Sequence, residues 1–92
     1  LYAGDERGVA TFEEAVRVAR EGRIDGALVF ALPHLGTALA VHAPDRAVAF
    51  LDEAIDVARR IGDTMAFGTA LGMRAMVAAH LGQPEMALMM IM

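Results

Sequence analysis

Three histidines, one isolated arginine and a few paired carboxylates are the side chains of this chain whose types and spacing invite chemistry. His34 and His42 stand eight positions apart and could share a helix face, but about 12 Å of helical rise separates them. No H-E-x-x-H pattern and no third ligand accompany them, so surface or groove histidines are expected and a metal site is not. Glu13-Glu14 and Asp52-Glu53 would suit acid–base work if they converged. Adjacent helical side chains instead diverge by about 100°, and these pairs recur at a fixed interval, as a solvated face would. Arg74 is the only charge between Asp63 and Glu85. In a concave groove it could hold a partner's carboxylate; otherwise its stem lies along apolar surface with its head in water. The chain has no Cys and no Ser, hence no thiolate, disulfide, Cys-based zinc site or serine nucleophile. It has no G-x-x-x-x-G-K-[ST] phosphate loop either. The expectation is no enzyme, with no catalytic, cofactor-binding or metal residues. The candidates that remain are partner-binding ones: Arg74, Met73 and His34.

Something must position these residues, and composition narrows what that is. Ninety-two residues allow one small domain or a slice of a larger array. The chain is 57% apolar, but 19 of its residues are Ala, which favours helix more than it drives burial. All eight basic residues are Arg, a bias expected of a GC-rich coding background. A net charge of −4 argues against direct nucleic-acid binding, which needs clustered basic residues. No secretory n-region, h-region and cleavage pattern follows Leu1, so a cytoplasmic setting is expected. Residues 26–44 run without a formal charge for nearly the length of a membrane span. They also carry Pro33, His34 and His42 and are rich in Ala and Gly, which insert poorly. No membrane partner is expected.

The organising feature is a repeat. ERGVATFEEAVRVAR (6–20) returns 39 positions later as DRAVAFLDEAIDVAR (45–59), with eight of fifteen positions identical. Further pairs keep size or charge: Glu6/Asp45, Phe12/Leu51, Glu13/Asp52 and Val16/Ile55. A third start follows at an offset of 40, Pro44-Asp45-Arg46-Ala47-Val48 against Pro84-Glu85-Met86-Ala87-Leu88.

Both long copies have helical periodicity. Ala47, Val48, Leu51, Ala54, Ile55 and Ala58 form one apolar stripe. Phe50, Val57 and Ile61 form a second beside it, so the helix expects neighbours on two sides. Asp56 and Arg60 have a favourable i,i+4 spacing on the remaining face. Pro44 suits a first turn, Gly62 a stop, and Asp63 the N-cap of the next helix. Residues 64–81 and 26–42 are apolar nearly all round. Pro33 predicts a kink or late restart in the latter, since an interior Pro costs about 3 kcal/mol. Thr11-x-x-Glu14 has the form of a capping box, but the repeat places residue 11 in mid-helix and is preferred. A two-helix unit cannot bury its own apolar face, so neighbours must stack and share a core. The predicted organisation is one all-α segment, 1–92, of antiparallel helix-turn-helix repeats stacked as a short α-solenoid. Its units are a partial 1–22, a full 24–62 and a partial 63–92, so the chain is expected to be a window cut from a longer array.

Leu32-x2-Leu35-Gly36-x2-Leu39 resembles the first helix of a tetratricopeptide repeat, and Ala47-x3-Leu51-x2-Ala54 the second. Leu71, Ala75, Ala78 and Ala87 hold the corresponding places in the next unit, with Arg74 where Leu is usual. The unit is longer than usual at 39–40 residues and lacks the aromatic anchors. With ARRIGD (58–63) and LGQPEMAL (81–88) it is similar to the longer repeats of large bacterial LuxR-type or cyclase-linked regulators. The resemblance implies an interaction or scaffold module that presents a helical groove to a peptide or protein partner. The alternative it implies is a ligand-sensing regulatory arm of a signalling ATPase or transcriptional regulator. All seven Met lie after residue 64; they are expected mainly as core filler, and MALMMIM (86–92) as a candidate for homo-oligomerisation.

Overall fold

Pro44, Gly62 and Asp63 set the limits of the longest helix. In a computed structural model, which describes residues 6–81, that helix spans Pro44–Ile61 and is the third of four. The others are α1 (Glu6–Glu21), α2 (Asp25–Leu39) and α4 (Thr64–His80), so the Pro44–Ile61 helix is α3. Pro44 occupies its first turn, where a missing N–H loses nothing. At its end Gly62 is left-handed, φ 73°, and its N–H meets the Arg59 carbonyl while that of Asp63 reaches Ala58. This pair of bonds closes the orphan carbonyls of the last turn. Asp63 then caps α4, its carboxylate accepting the Ala66 N–H at 2.9 Å.

The end of α1 repeats this geometry with a different residue. Arg23 donates to the Arg20 carbonyl and Ile24 to that of Ala19. Arg23, which stands 39 positions before Gly62, is the only non-Gly residue described with positive φ, 54°. A side chain in that conformation is strained where glycine is not. Arg23→Gly is therefore expected to raise stability by about 0.5–1 kcal/mol, measured as a higher urea midpoint. A lower midpoint would mean that the Arg23 side chain holds the turn together.

Thr11 lies inside α1, as the repeat requires, and not at a helix start. Pro33 produces no restart: α2 is continuous from Asp25 to Leu39 with Pro33 buried inside it. The lost donor costs about 3 kcal/mol in an isolated helix, but α2 packs against α1, α3 and α4 and buries nine of its residues. Tertiary contact overrides the local preference.

Contacts run in chain order from α1 to α4, with an added contact between α2 and α4. Two layers result, α1 and α3 behind and α2 and α4 in front. Leu32, Leu35 and Leu51 are the largest side chains fully buried between them. The rear layer is tied by two ion pairs, Arg46 to Glu13 at 2.8 Å and Arg20 to Glu53 at 2.6 Å. All four partners are at least one-third exposed, so the pairs favour register more than stability. On α1 itself Arg17 bonds both Glu14 and Glu21 and holds the Glu14 carboxyl below the usual carboxylate range. Arg60 reaches Asp25 at 3.0 Å rather than the Asp56 suggested by i,i+4 spacing. No helix among the described residues is long and apolar enough to cross a membrane.

Candidate functional site

The front layer exposes the apolar surface that a soluble helix normally hides. Phe30 on α2 and Val41, in the turn just after it, are 66% and 60% exposed, and Met65 and Met76 on α4 are 82% and 72% exposed. Apolar side chains thus mark both ends of each edge, with the exposed His34 and Thr37 between them on α2 and Thr69 on α4. The two edges flank a groove with two recesses. The larger, about 370 Å³, is lined by Phe30, Pro33 and His34 from α2 and by Met65, Thr69 and Met73 from α4. The smaller, about 210 Å³, lies toward the C-terminal ends of both helices, between Val41, Met76 and His80, and reaches down to Leu51. Thr37 and Met73 meet between the recesses, hydroxyl oxygen to sulfur, at 3.5 Å.

Formal charge is nearly absent from this wall. Asp63 stands at one end, with a carboxylate oxygen already engaged by the Ala66 N–H. His34 supplies most of the remaining polarity. Its Nδ1 donates to the Phe30 carbonyl at 2.9 Å, which leaves Nε2 as the second ring nitrogen for another partner. The ring is held between Phe30 and Phe12, with centroids 4.7 and 5.3 Å away. A histidine tethered through Nδ1 and in contact with two rings offers Nε2 at little further entropy cost.

Of the three residues singled out by sequence, His34 and Met73 are brought together on the wall of the larger recess. Arg74 lies elsewhere. It turns toward α3, where Nε bonds Asp52 at 3.0 Å, and its side chain is only 12% exposed. It occupies the place that Leu35 fills one unit earlier, and Leu35 is fully buried. Its Nη1 is buried without a hydrogen-bond partner. Orphaning a buried donor costs about 1–3 kcal/mol, whereas Asp52 is half exposed and can rehydrate. Arg74→Leu is therefore expected to leave stability unchanged or raise it by about 1 kcal/mol, read from urea unfolding. A loss above about 2 kcal/mol would show that the ion pair itself anchors α4.

Phe30, Val41, Met65 and Met76 were not among the sequence candidates. Their signal was present as two i,i+11 pairs, Met65/Met76 within α4 and Phe30/Val41 reaching just past the end of α2. It was masked because α2 and α4 are apolar on every side, leaving no polar face to mark the outside. Among the described residues no group of three or more His, Cys, Asp or Glu could hold a metal ion. The MALMMIM segment, like the third repeat start at Pro84, lies outside the described residues.

Comparison with known families gives one match. The family described as anaphase-promoting complex subunit 5 matches residues 2–39 and, in a second overlapping match, residues 28–77. No curated protein and no solved structure matches.

Proposed function

The chain belongs to the anaphase-promoting complex subunit 5 family, and from that premise we propose that it is a protein–protein interaction module, a scaffold segment of a cytoplasmic multi-protein assembly. The family's name places its members in a complex. The observation that carries the proposal for this chain is the groove between α2 and α4, where Phe30, Val41, Met65 and Met76 stand largely exposed on one face. Contiguous exposed apolar surface in a folded protein marks an interaction site. Met side chains suit such a surface because they repack around different partners. In this proposal His34 and Met73 touch the partner. Arg74 stands behind the wall, turned toward α3 and Asp52, and does not touch the partner.

The test is site-specific photo-crosslinking in cells. A photoreactive residue replaces Met65 or Met76 in the groove, or Val18, which is half exposed on α1. Adducts with a reproducible set of proteins are expected from the two groove positions and not from Val18. Adducts from Val18 with silence at Met65 and Met76 would remove the groove from the function.

A further inference from the structure

The groove has a shape and a hydrogen-bonding character, and together they limit what can lie in it. Both recesses are shared by the same two helices. The larger is lined by the N-terminal parts of α2 and α4, the smaller by their C-terminal parts. The two helices therefore run parallel along the groove. On each of them the centres of the two recesses lie about nine residues apart, or about 13 Å. Between them the Thr37–Met73 contact stands as a bar.

An extended peptide crossing that distance would lay about four residues against the wall. Its backbone N–H and C=O groups would then need partners. The wall offers few: the Thr37 hydroxyl already donates to the Pro33 carbonyl, and His34 Nδ1 to that of Phe30. His34 Nε2, the Thr69 hydroxyl and, at one end, the second carboxylate oxygen of Asp63 remain along the larger recess, and the His80 ring along the smaller. Buried backbone groups without partners disfavour binding. A helix satisfies its own backbone and brings only side chains to the surface. No Arg or Lys lines either recess to hold a carboxylate, so a terminal or acidic motif gains nothing here.

On these grounds, and resting on the interaction-module reading above, we infer that the groove takes an amphipathic helix of a partner protein. The helix seats two bulky apolar side chains, one in each recess, seven or eight residues apart. Such residues share a helix face and span about 10–12 Å, close to the separation of the recesses. The residues between them are small and uncharged where the helix crosses the Thr37–Met73 bar. The partner helix runs antiparallel to α2 and α4, which sets its dipole against theirs.

A peptide panel tests this on the 92-residue chain, with labelled peptides titrated by fluorescence anisotropy. The first is an Ala-rich helical peptide of about sixteen residues with two Phe placed eight apart. The second has the same composition with the two Phe four apart, and the third carries a central Pro that breaks the helix. The first should bind about tenfold or more tighter than the others. Met65→Asp and Met76→Asp should each weaken it by about tenfold, while Val18→Asp leaves it unchanged. Both Met side chains are largely exposed, so the Asp variants should keep their helical circular dichroism. Equal binding of the Pro peptide would overturn the helix, and equal binding of the closely spaced peptide would overturn the two-anchor seat. Binding that appears only after residues 86–92 are deleted would make the chain's own end the occupant. Self-association abolished by Met76→Asp would make a second copy the occupant. If no peptide binds while crosslinks still form at Met65 and Met76, the helix proposal fails and the interaction module stands. If those crosslinks are also absent, both fail.

Discussion

Leu51→Ala should destabilise the protein by about 2–5 kcal/mol. Leu51 is fully buried on α3. It sits against Gly36 of α2 and forms the floor of the recess shared with Met73 and Val77 of α4. Three helices therefore meet on one side chain, and none can close over its loss without leaving its other neighbours. The smaller recess lies directly above, so the space left behind joins a surface depression that water can enter. That relaxation sets the cost within the range and does not abolish it. For a domain this small, each kcal/mol shifts the thermal midpoint by about 4–8 °C. A drop of at least about 8 °C follows from the low end of the range, read from helical circular dichroism. An unchanged midpoint would mean that Leu51 does not join the units, and the repeat register would be wrong with it.

Leu51 was legible in the sequence, and the reason separates what could be read from what could not. It stands where Phe12 stands one repeat earlier, and a repeat reports on packing that single-residue preferences miss. The same logic placed Thr11 inside a helix against its capping pattern. Pro44, Gly62 and Asp63 were legible because their effects are local: a ring without an N–H, a residue free to be left-handed, a short carboxylate. Arg23 shows where locality misleads, since nothing in Gly22-Arg23-Ile24 says that Arg takes the strained position. Only its alignment with Gly62 does.

The site was less legible than the fold. A helix that is apolar all round gives no sign of which edge faces outward, so α2 and α4 hid Phe30, Val41, Met65 and Met76. Ion pairs were hidden for a related reason. Arg60 had Asp56 one turn away and took Asp25 from another helix, and Arg74 took Asp52, 22 residues before it. For exposed pairs, a bond one turn away on the same helix is worth about 0.3–0.5 kcal/mol, too little to outweigh the packing of whole helices. Where side chains end up is decided by the backbone arrangement, and the sequence shows that arrangement only through its repeat.

The same substitution at two helix-interior glycines should act in opposite directions. Gly72 lies in the middle of α4 and Gly36 in the last turn of α2; within a helix Ala is intrinsically better than Gly by up to about 0.8–1 kcal/mol. At Gly72 an added Cβ meets nothing within 4 Å. Gly72→Ala should therefore realise much of that gain, raising stability by about 0.5–1 kcal/mol. At Gly36 the added carbon would stand 2.8 Å from Leu51 Cγ, 3.0 Å from Cδ2 and 3.4 Å from the Ala47 carbonyl oxygen. Leu51 is fully buried and cannot swing away, so α2 and α3 must separate. Overpacking of this kind costs about 1–3 kcal/mol and offsets the propensity gain, leaving a net loss of up to about 2 kcal/mol. The clash depends on Leu51, and that gives the prediction an internal control. In a Leu51→Ala background the new methyl group enters space already emptied, so Gly36→Ala should become neutral or stabilising. The double mutant should then be more stable than the sum of the two losses by about 1–3 kcal/mol. Additive losses would mean that Gly36 is needed for something other than room for Leu51, and that α2 and α3 do not approach through this pair.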